Sequence, residues 1–407
     1  MKKIFISIIL ITALLSGCTA ATVPTQPYNE SSTQGTTAKS DYVKSVWITY
    51  YELQKMITEN ESEFYSKFTK VTNELIEMGF NTVTVQVRPC ADAFYKSNYF
   101  PSSKYCFGKQ GGEMPYDPLK IMCDVARENN IAIEAWINPY RVSQENEPDK
   151  LSDNNTAKKW LNSKKTSSYV YTCDKGIFFN PAVSEVTDLI VNGVTELVSN
   201  YNITAIHFDD YFYPTTSKKI DSTQYKKYME SGGKQELAAW RRDNVSNMIK
   251  SVYGAIKKVN KSVRFGVSPA SNADNDYSKL YADVKLWAEK SGYVDYICPQ
   301  IYFGFQNQYQ PFMFTVKKWV NYSNCDLYIG LPLYKAGQKD ENASKDSKER
   351  INEFVNNNNI ISRQITYISK IDEIKGFYIF SYSYLFDDAS KDEVKNMLSV
   401  MQGSNPD

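Results

Sequence analysis

The chain has 407 residues, with 47 Lys and Arg against 46 Asp and Glu, so its formal net charge is +1. This balance leaves no excess of positive charge of the kind that nucleic-acid binding requires, and we expect no nucleic-acid partner. A single histidine, and seven cysteines without a Cys-x-x-Cys pair, argue against the usual kind of zinc site. We therefore expect neither a bound metal nor a cofactor.

The N-terminus has the pattern of an export signal. Lys2 and Lys3 precede a short apolar run over residues 4–15, which is too short to span a bilayer, and Leu-Ser-Gly-Cys follows at 15–18. This ending is similar to a bacterial lipobox, in which the cysteine is acylated. We predict a signal peptide over residues 1–17 and lipidation of Cys18. An ordinary signal peptide with an incidental cysteine is the alternative.

A tether and one globular domain are expected after Cys18. Residues 18–41 are rich in Thr, Ser, Ala, Gln and Pro, and cannot bury enough apolar surface to fold. A flexible chain of this length reaches roughly 25 Å on average. Residues 42–400 have globular composition, and 401–407 form a tail. We therefore predict an exported monomer held at the membrane of the cell envelope through its lipid. Cys90 and Cys106 could form a disulfide after export, with free thiols as the alternative.

Strand-like and helix-like segments alternate through the globular region. Apolar runs that indicate strands occur at 43–50, 81–88, 131–138, 203–209, 263–268, 294–301, 327–331 and 376–381. Amphipathic stretches between them occur at 64–78, 119–129, 183–199, 237–259 and 281–290. Parallel βαβ units with eight strands favour an α/β fold of the (β/α)8 TIM-barrel type. An open doubly wound sheet is the alternative, but no glycine-rich phosphate loop follows the first strand.

Polar and aromatic residues recur where the predicted strands end. Loops after the strands of a TIM barrel build its active site, so the long connections 142–177 and 215–236 could form lids or substrate walls. Hydrogen-bonding groups interleaved with aromatic rings on one rim are typical of a sugar-binding crater. The predicted substrate-binding residues are Trp47, Arg88, Asn138, Tyr140, Arg141, His207, Tyr211, Gln300, Tyr302 and Tyr382.

Two adjacent carboxylates end the fourth predicted strand. Side chains alternate along a strand, so if Ile206 and Phe208 face the helices, Asp209 faces the barrel axis with His207 below it. Asp209 is then the candidate nucleophile or transition-state stabiliser. Asp210 could orient Arg141 or a sugar hydroxyl. The alternative is that one or both aspartates cap the following loop.

The partner carboxyl is less clearly indicated. Glu134 lies on the same strand face as Trp136 and Asn138, about 13 Å below the strand tip. At that depth it needs a raised pKa or a cationic partner such as Arg88. A buried ion pair is the alternative to catalysis. Asp92, after the second strand, is the other candidate. His207 could tune Asp209, or be a hydrogen-bonded core histidine.

The ordered motifs together resemble the glycosyl hydrolase-like 10 family of bacterial lipoproteins. They are Gln86-Val87-Arg88-Pro89, Asp92-Ala93-Phe94-Tyr95, Trp136-Ile137-Asn138-Pro139-Tyr140-Arg141, Phe179-Asn180-Pro181, His207 to Pro214, Trp240 to Val245, Phe265-Gly266-Val267-Ser268-Pro269 and Pro299-Gln300-Ile301-Tyr302. The resemblance covers residues 42 to about 400 and implies a TIM-barrel hydrolase of the cell envelope. One member of the family is associated with cleaving peptidoglycan strands stripped of peptides, so cell-wall glycan is the implied substrate. The family often has histidine where this chain has Glu134. This difference weakens the support for Glu134 as the general acid.

Three functions remain open at this point. The first is a glycoside hydrolase with Asp209 as its key carboxylate, in which an acetamido group of the substrate could assist. The second is a non-catalytic carbohydrate-binding lipoprotein built on the same barrel. The third, a metal-dependent hydrolase or deacetylase, has little support in a chain with one histidine. Loss of hydrolysis with retained binding in Asp209→Asn would favour the first over the second.

Overall fold

A closed barrel of parallel strands forms the centre of the molecule. The computed structural model describes residues 42–403. The strands in this part of the chain are β1 (Val43–Ile48), β2 (Thr82–Arg88), β3 (Ala132–Ile137), β4 (Arg141–Ser143), β5 (Val170–Cys173), β6 (Gly176–Phe179), β7 (Ala205–Phe208), β8 (Arg264–Val267), β9 (Tyr296–Ile297), β10 (Asp326–Leu331) and β11 (Ile374–Ile379). The barrel runs in the order β1-β11-β10-β9-β8-β7-β3-β2, and β1 pairs with both β2 and β11 to close it.

Each of the eight predicted strands overlaps one strand of this barrel, and the predicted (β/α)8 fold is confirmed. Strands that are consecutive among these eight are also neighbours in the sheet, and every pair is parallel. The carboxyl ends of all eight strands therefore meet at one rim, which is where the predicted site residues occur.

Helices surround the barrel. Those within residues 42–403 are α1 (Tyr50–Met56), α2 (Glu61–Glu77), α3 (Lys104–Phe107), α4 (Pro118–Glu128), α5 (Thr156–Leu161), α6 (Ser184–Asn200), α7 (Ser222–Glu230), α8 (Leu237–Val259), α9 (Ala273–Asn275), α10 (Val284–Glu289), α11 (Phe312–Tyr322), α12 (Lys348–Ile351), α13 (Glu353–Asn356), α14 (Ile360–Ile368) and α15 (Lys391–Met401). A π-helical turn, Asp276–Leu280, follows α9.

Helix α2 illustrates why these segments are helical and which face they bury. The side chain of Asn60 caps its start by accepting a hydrogen bond from the Glu63 backbone N–H. Phe64, Phe68 and Leu75 recur at helical spacing and are fully buried. The apolar stripe therefore packs into the core while the opposite face meets solvent.

Two cores of different character lie on either side of the barrel wall. Outward-facing strand residues such as Val85 and Phe208 pack with the helices in a large aliphatic and aromatic core. The barrel interior holds a second, smaller cluster, whose larger members are Trp47, Trp136, Tyr296, Tyr328 and Tyr378. Branched aliphatic side chains usually fill a TIM barrel, so an interior of tryptophan and tyrosine is a departure.

The two long predicted connections contain secondary structure. The connection after β3 folds into an antiparallel sheet of order β4-β6-β5 together with α5. The connection after β7 contains α7. Both are thus more ordered than simple loops, and both leave the barrel at its carboxyl rim.

The predicted signal peptide, the lipidation of Cys18 and the tether lie outside the residues that the structure describes. None of the helices between residues 42 and 403 is both long enough and apolar enough to cross a bilayer. Cys90 and Cys106 are both free thiols, so of the two alternatives for this pair the structure has the thiols rather than a disulfide.

Large rings inside the barrel depend on two glycines in the wall. A Cβ atom at Gly266 would lie 2.0 Å from the ring of Tyr296, and one at Gly330 would lie 2.9 Å from the ring of Trp47. Contacts this short do not occur in folded proteins without displacement of the neighbouring group. Glycine is therefore required at both positions to make room for an aromatic interior.

We predict that Gly266→Ala lowers the free energy of unfolding by roughly 1–3 kcal/mol, because the added methyl overpacks the barrel against Tyr296. Urea unfolding of the full chain measures this. Gly254→Ala is the matched control, since Gly254 lies within α8 with no atom near the added methyl. The control is expected to raise stability by roughly 0.5–1 kcal/mol. Unfolding of Gly266→Ala at the wild-type urea concentration would contradict the prediction.

Candidate active site

Asp209 and Asp210 directly follow β7 at the carboxyl rim of the barrel. Ile206 and Phe208 pack in the outer core, while His207 lies inside the barrel and bonds to interior side chains. As the alternation predicts, Asp209 points toward the barrel axis, where it is only 3% exposed. Asp210 is partly exposed. The two neighbouring carboxylates therefore occupy different environments.

Three N–H groups converge on the carboxylate of Asp209. The indole Nε1 of Trp136 donates to Oδ2 at 3.1 Å, and the amide Nδ2 of Asn138 donates to the same oxygen. The backbone N–H of Tyr211 donates to Oδ1 at 3.3 Å. Donors of this kind stabilise the ionised form of a carboxyl group. They also fix the position of its oxygens.

A relay of amides sets the orientation of Asn138. The backbone N–H of Tyr50 donates to Oε1 of Gln86 at 3.1 Å, so the amide nitrogen of Gln86 must face the other way. That nitrogen donates to Oδ1 of Asn138 at 2.6 Å. The Nδ2 of Asn138 is thereby left facing Asp209. Because a backbone N–H can only donate, the relay determines the direction of every bond in it.

Arg141 supplies the positive charge of the site. Its guanidinium lies over the ring of Tyr211 at 4.7 Å, and its Nε donates to the backbone oxygen of Pro89 at 2.8 Å. Burial alone would lower the pKa of Arg141, but nearby groups, Asp209 among them, outweigh burial and raise it. Arg141 therefore stays charged and favours the ionised form of Asp209.

The two aspartates at the rim titrate as a pair. Burial raises the pKa of Asp209, and the charge of Asp210 raises it further, while Arg141 and the donors of Asp209 act in the opposite direction. Burial raises the pKa of Asp210 to about 6, against the charge of Arg141 and the side chain of Gln300. Asp209 has the higher pKa of the two, about 7, while the three N–H donors that meet it favour its charged form, so a single proton is shared between the two coupled carboxyls.

Gln300 and Tyr302, which follow β9, extend the site along the rim on the far side of β8. The amide of Gln300 donates to the backbone oxygen of Ser268 at 3.0 Å. The ring of Tyr302 lies 5.7 Å from that of Tyr334 and 5.8 Å from that of Phe380. Both aspartates interact electrostatically with Tyr302. Of the predicted residues, the structure brings together Asn138, Arg141, Asp209, Asp210, Tyr211, Gln300 and Tyr302.

Trp47 and His207 lie below this group, inside the barrel. The indole Nε1 of Trp47 donates to Nε2 of His207 at 3.2 Å, so the proton of the neutral imidazole sits on Nδ1 and faces the hydroxyl of Tyr296 at 3.0 Å. Burial lowers the pKa of His207 to about 3. His207 is thus a neutral, hydrogen-bonded core histidine. Trp47 is 2% exposed and is part of the interior packing rather than of the rim surface.

Glu134 occupies the same interior and is held by hydroxyl groups. Its carboxylate accepts hydrogen bonds from Thr84 at 2.8 Å, from Tyr378 at 2.9 and 3.0 Å, and from Tyr296 at 3.3 Å. Burial raises its pKa, and the charge of Arg264 acts against that rise. Glu134 is thus buried in the barrel interior, and the cation nearby is Arg264 rather than Arg88. These contacts favour a structural role for Glu134.

Arg88 points away from the barrel interior. Its guanidinium lies 4.2 Å from the centre of the Phe100 ring, and a Cβ atom at Gly193 of α6 would meet it at 2.5 Å. The pairing of β2 with β3 shifts register between Gln86 and Arg88. This irregularity breaks the alternation that would have placed Arg88 inside beside Gln86. The prediction that Arg88 binds substrate at the rim does not match this position.

Two predicted binding tyrosines have other surroundings. Tyr140 is completely buried, so its ring offers no surface to a ligand in this structure. The hydroxyl of Tyr382 donates to Glu74 of α2 at 3.0 Å, and its ring packs on Phe386 at 5.2 Å. Tyr382, in the 3-10 turn that follows β11, thus turns from the rim toward the surrounding helices.

Asp92 belongs to the loop structure next to the site. Its Oδ2 accepts a hydrogen bond from the amide of Gln110 at 2.8 Å, and it is 2% exposed. Burial raises its pKa to about 6, with the charges of Lys104 and Arg141 opposing the rise. Asp92 therefore interacts with the site electrostatically, through the charge of Arg141, while its own carboxylate is enclosed by the loop.

Sequence reasoning missed three residues of this neighbourhood. Gln86 and Trp136 orient Asp209 but stood in the sequence only as parts of motifs. Asp276 begins the π-helical turn, is 1% exposed, and has no hydrogen-bond partner for either carboxylate oxygen among residues 42–403. Burial and the charge of Asp210 raise its pKa well above the ordinary value. No pattern around Asp276 distinguishes it from a loop aspartate. Within the same residues, no group of three or more His, Cys, Asp or Glu side chains could hold a metal ion.

We predict that Asp210→Asn stabilises the protein at alkaline pH. A carboxyl whose folded pKa is raised from 3.8 to about 6 contributes stability below pH 4, and that stability is lost as pH rises through 6. The amide has no charge to bury. The variant should therefore exceed wild type by roughly 1–3 kcal/mol at pH 8, with the difference vanishing toward pH 4.

Urea unfolding at a series of pH values measures this difference. Asp188→Asn is the matched control, because Asp188 is exposed on α6 and its substitution removes an aspartate without altering the rim. A stability difference for Asp210→Asn that is the same at pH 4 and pH 8 would contradict the prediction.

Comparisons with known proteins agree with the fold and identify the family. Residues 42–347 match the family described as Glycosyl hydrolase-like 10. Glycosyl hydrolase YngK of Bacillus subtilis (strain 168) is 31% identical over 398 residues, covering 91% of this chain and 72% of that protein. Glycosyl hydrolase DigH of Escherichia coli (strain K12) is 33% identical over 355 residues, covering 81% of this chain and 77% of that protein.

Solved glycosidase structures share the barrel at low sequence identity. The glycoside hydrolase domain of PgaB (BpsB) from Bordetella bronchiseptica has a TM-score of 0.57 and 10% identity, covering 90% of this chain and 100% of that one. The endo-1,4-beta-mannanase of Rhizomucor miehei has a TM-score of 0.52 and 10% identity, covering 90% of this chain and 96% of that one. At this level of identity the likeness establishes the fold.

Proposed function

The chain belongs to the glycosyl hydrolase-like 10 family and is a glycoside hydrolase; from that premise we propose that it cleaves cell-wall glycan strands with Asp209 and Asp210 as its working carboxylates. The observation that carries this proposal is the pair itself. One carboxylate is buried and held by three N–H donors, and its neighbour is partly exposed with a raised pKa. Glycosidic cleavage needs one carboxyl group that stays ionised and one that donates a proton.

The environments of the two carboxyls suggest their roles. Asp210 would give its proton to the glycosidic oxygen as the bond to the anomeric carbon breaks. Asp209, ionised and facing Arg141, would stabilise the positive charge that develops on the sugar ring. Water would then add at the anomeric carbon and lose its proton to Asp210, now a carboxylate. Every atom and proton of the hydrolysis is accounted for by the substrate, one water and this pair.

Wall sugars offer a further participant. Their 2-acetamido group has a carbonyl oxygen that can attack the anomeric carbon. Its N–H would donate a hydrogen bond to the carboxylate of Asp209. Among the described acidic residues, Glu134 is occupied by three hydroxyl donors and Asp92 is enclosed in its loop. Of these four candidate carboxyls, Asp210 is the one that is partly exposed, and Asp209 lies beside it, which favours assistance by the substrate over a nucleophile from the opposite wall.

The cellular location is part of the proposal. The predicted signal peptide and lipidated Cys18 would hold the enzyme at the membrane, and the tether of residues 18–41 would let it reach outward. The polymer within reach of such an enzyme is the wall glycan. The resemblance noted from the motifs points to strands stripped of peptides.

The full-length chain in detergent, incubated with intact peptidoglycan and with peptide-free strands, tests the proposal by mass spectrometry of the products. We expect wild type to release glycan fragments from peptide-free strands. Asp209→Asn and Asp210→Asn should each lower the rate at least about 100-fold, because each removes an acid–base or electrostatic contribution. Asp188→Asn on α6 serves as the control and should keep wild-type activity.

Each other outcome has a definite meaning. Undiminished hydrolysis by Asp209→Asn would remove this residue from the chemistry. Tight binding of glycan by wild type without any cleavage would indicate the non-catalytic carbohydrate-binding alternative. Absence of both binding and cleavage would place the substrate outside the wall.

A further inference from the structure

Three tyrosines form a surface beside the candidate active site that the chemistry above does not use. We call Tyr50, Tyr51 and Tyr105 the tyrosine ledge. The rings of Tyr50 and Tyr51 lie 4.0 Å apart, those of Tyr50 and Tyr105 4.8 Å apart, and those of Tyr51 and Tyr105 5.9 Å apart. Tyr50 is 3% exposed and supports the other two, while Tyr51 is 40% exposed. Tyr105 is half-buried.

The ledge lies on the carboxyl rim. Tyr50 and Tyr51 begin α1 directly after β1, and Tyr105 belongs to α3 in the connection after β2. The hydroxyl of Tyr51 donates to Oε1 of Gln144, just after β4, at 3.0 Å. Strands β7, β3, β2 and β1 are consecutive neighbours in the barrel. The ledge therefore continues the rim sideways from the aspartates that follow β7.

Two chains of contacts join the ledge to Asp209. The backbone N–H of Tyr50 starts the amide relay that ends at Asp209. Arg141 interacts electrostatically with Tyr50 and with Asp209, and lies over the ring of Tyr211, which is 48% exposed. Tyr50 of the ledge and the exposed Tyr211 thus both interact with the same buried arginine.

The arrangement of the ledge differs from ordinary surface exposure. Single exposed aromatic residues are common and carry no meaning by themselves. Here the exposed ring of Tyr51 packs against two other rings and its hydroxyl donates a hydrogen bond, on the same rim as the aspartates. A rigid ring with a polar edge offers contact area at little cost in conformational entropy. Sugar rings have apolar C–H faces that pack on such surfaces and hydroxyls that bond at the edge.

We propose that the tyrosine ledge binds sugar residues of the glycan strand that lie outside the reacting pair. This inference rests on the proposed function, because it assumes that the ligand is a glycan bound at the aspartates. The ligand of the ledge is then a further part of the same glycan strand that is bound at the aspartates. Long strands then reach both the reacting site and the ledge, and short fragments reach only the site. Affinity should therefore rise with chain length.

The test measures glycan binding in the Asp209→Asn background of the full chain, so that turnover does not interfere. Fluorescently labelled long peptide-free strands and the labelled disaccharide unit are the probes. Adding Tyr51→Ala should weaken binding of the long strands about tenfold and leave binding of the disaccharide unchanged. Tyr51→Phe keeps the ring and loses only the bond to Gln144, so its affinity should stay within about twofold.

Phe386→Ala is the matched control. Its ring is 50% exposed and packs on Tyr382, whose hydroxyl bonds to α2, so it should not affect binding of either probe. Equal loss of long-strand and disaccharide binding in Tyr51→Ala, or no loss of either, would contradict the proposal that the ledge binds glycan. The proposed function would still stand. A protein that binds neither probe in any form would overturn the proposed function and the ledge together.

Discussion

A buried carboxylate needs hydrogen-bond donors, and the supply of donors to Asp209 organises the carboxyl end of this barrel. Trp136 and Asn138 come from β3 and the residue that follows it, and Tyr211 from the loop of Asp209 itself. Asn138 is oriented in turn by Gln86 on β2, and Gln86 by a backbone N–H just after β1. The position of one carboxylate thus depends on three neighbouring strands being in register.

A second polar network lies below the first and replaces the aliphatic layers common in this fold. Trp47 donates to His207, His207 faces the Tyr296 hydroxyl, and Tyr296 donates to Glu134, which Tyr378 also meets. All members are hydrogen-bonded, which is the condition under which a buried polar network stabilises a single arrangement. The network needs space for large rings, so the barrel wall has glycine where they press against it.

The same electrostatics bears on stability and on chemistry. Asp209 and Asp276, which are buried, and Asp210, which is partly buried, all have raised pKa values, and ionising such groups costs folding free energy. Clusters of strongly perturbed carboxyls are more typical of active sites than of structural cores. Arg141 offsets part of this cost, and because it interacts with Asp209, Tyr50 and Tyr211, it joins the candidate site to the adjoining aromatic surface. Stability and the proposed acid–base roles therefore oppose each other at one place in the fold.

The fold and part of the site could be predicted from the sequence. Apolar runs, their spacing and the helices between them indicated eight parallel strands, because burial on both faces of a parallel strand leaves a local signal. Alternation along one strand was enough to turn Asp209 inward. The same alternation gave the wrong side of the barrel wall for Arg88, because a register shift between β2 and β3 reverses the direction of its side chain. Such a shift depends on the pairing of two strands and leaves no local signal.

Other features depended on contacts between residues distant in the chain. Glu134 meets Tyr296 and Tyr378, more than 100 residues away, so its structural environment leaves no local pattern. The same holds for the unpartnered Asp276 and for the burial of Tyr140. The sequence by itself determined the barrel and the strand that ends in the two aspartates, since both follow from local periodicity. Only the tertiary structure decided which rim residues face the site and which carboxyls are already held by donors, because closure of the barrel sets those contacts.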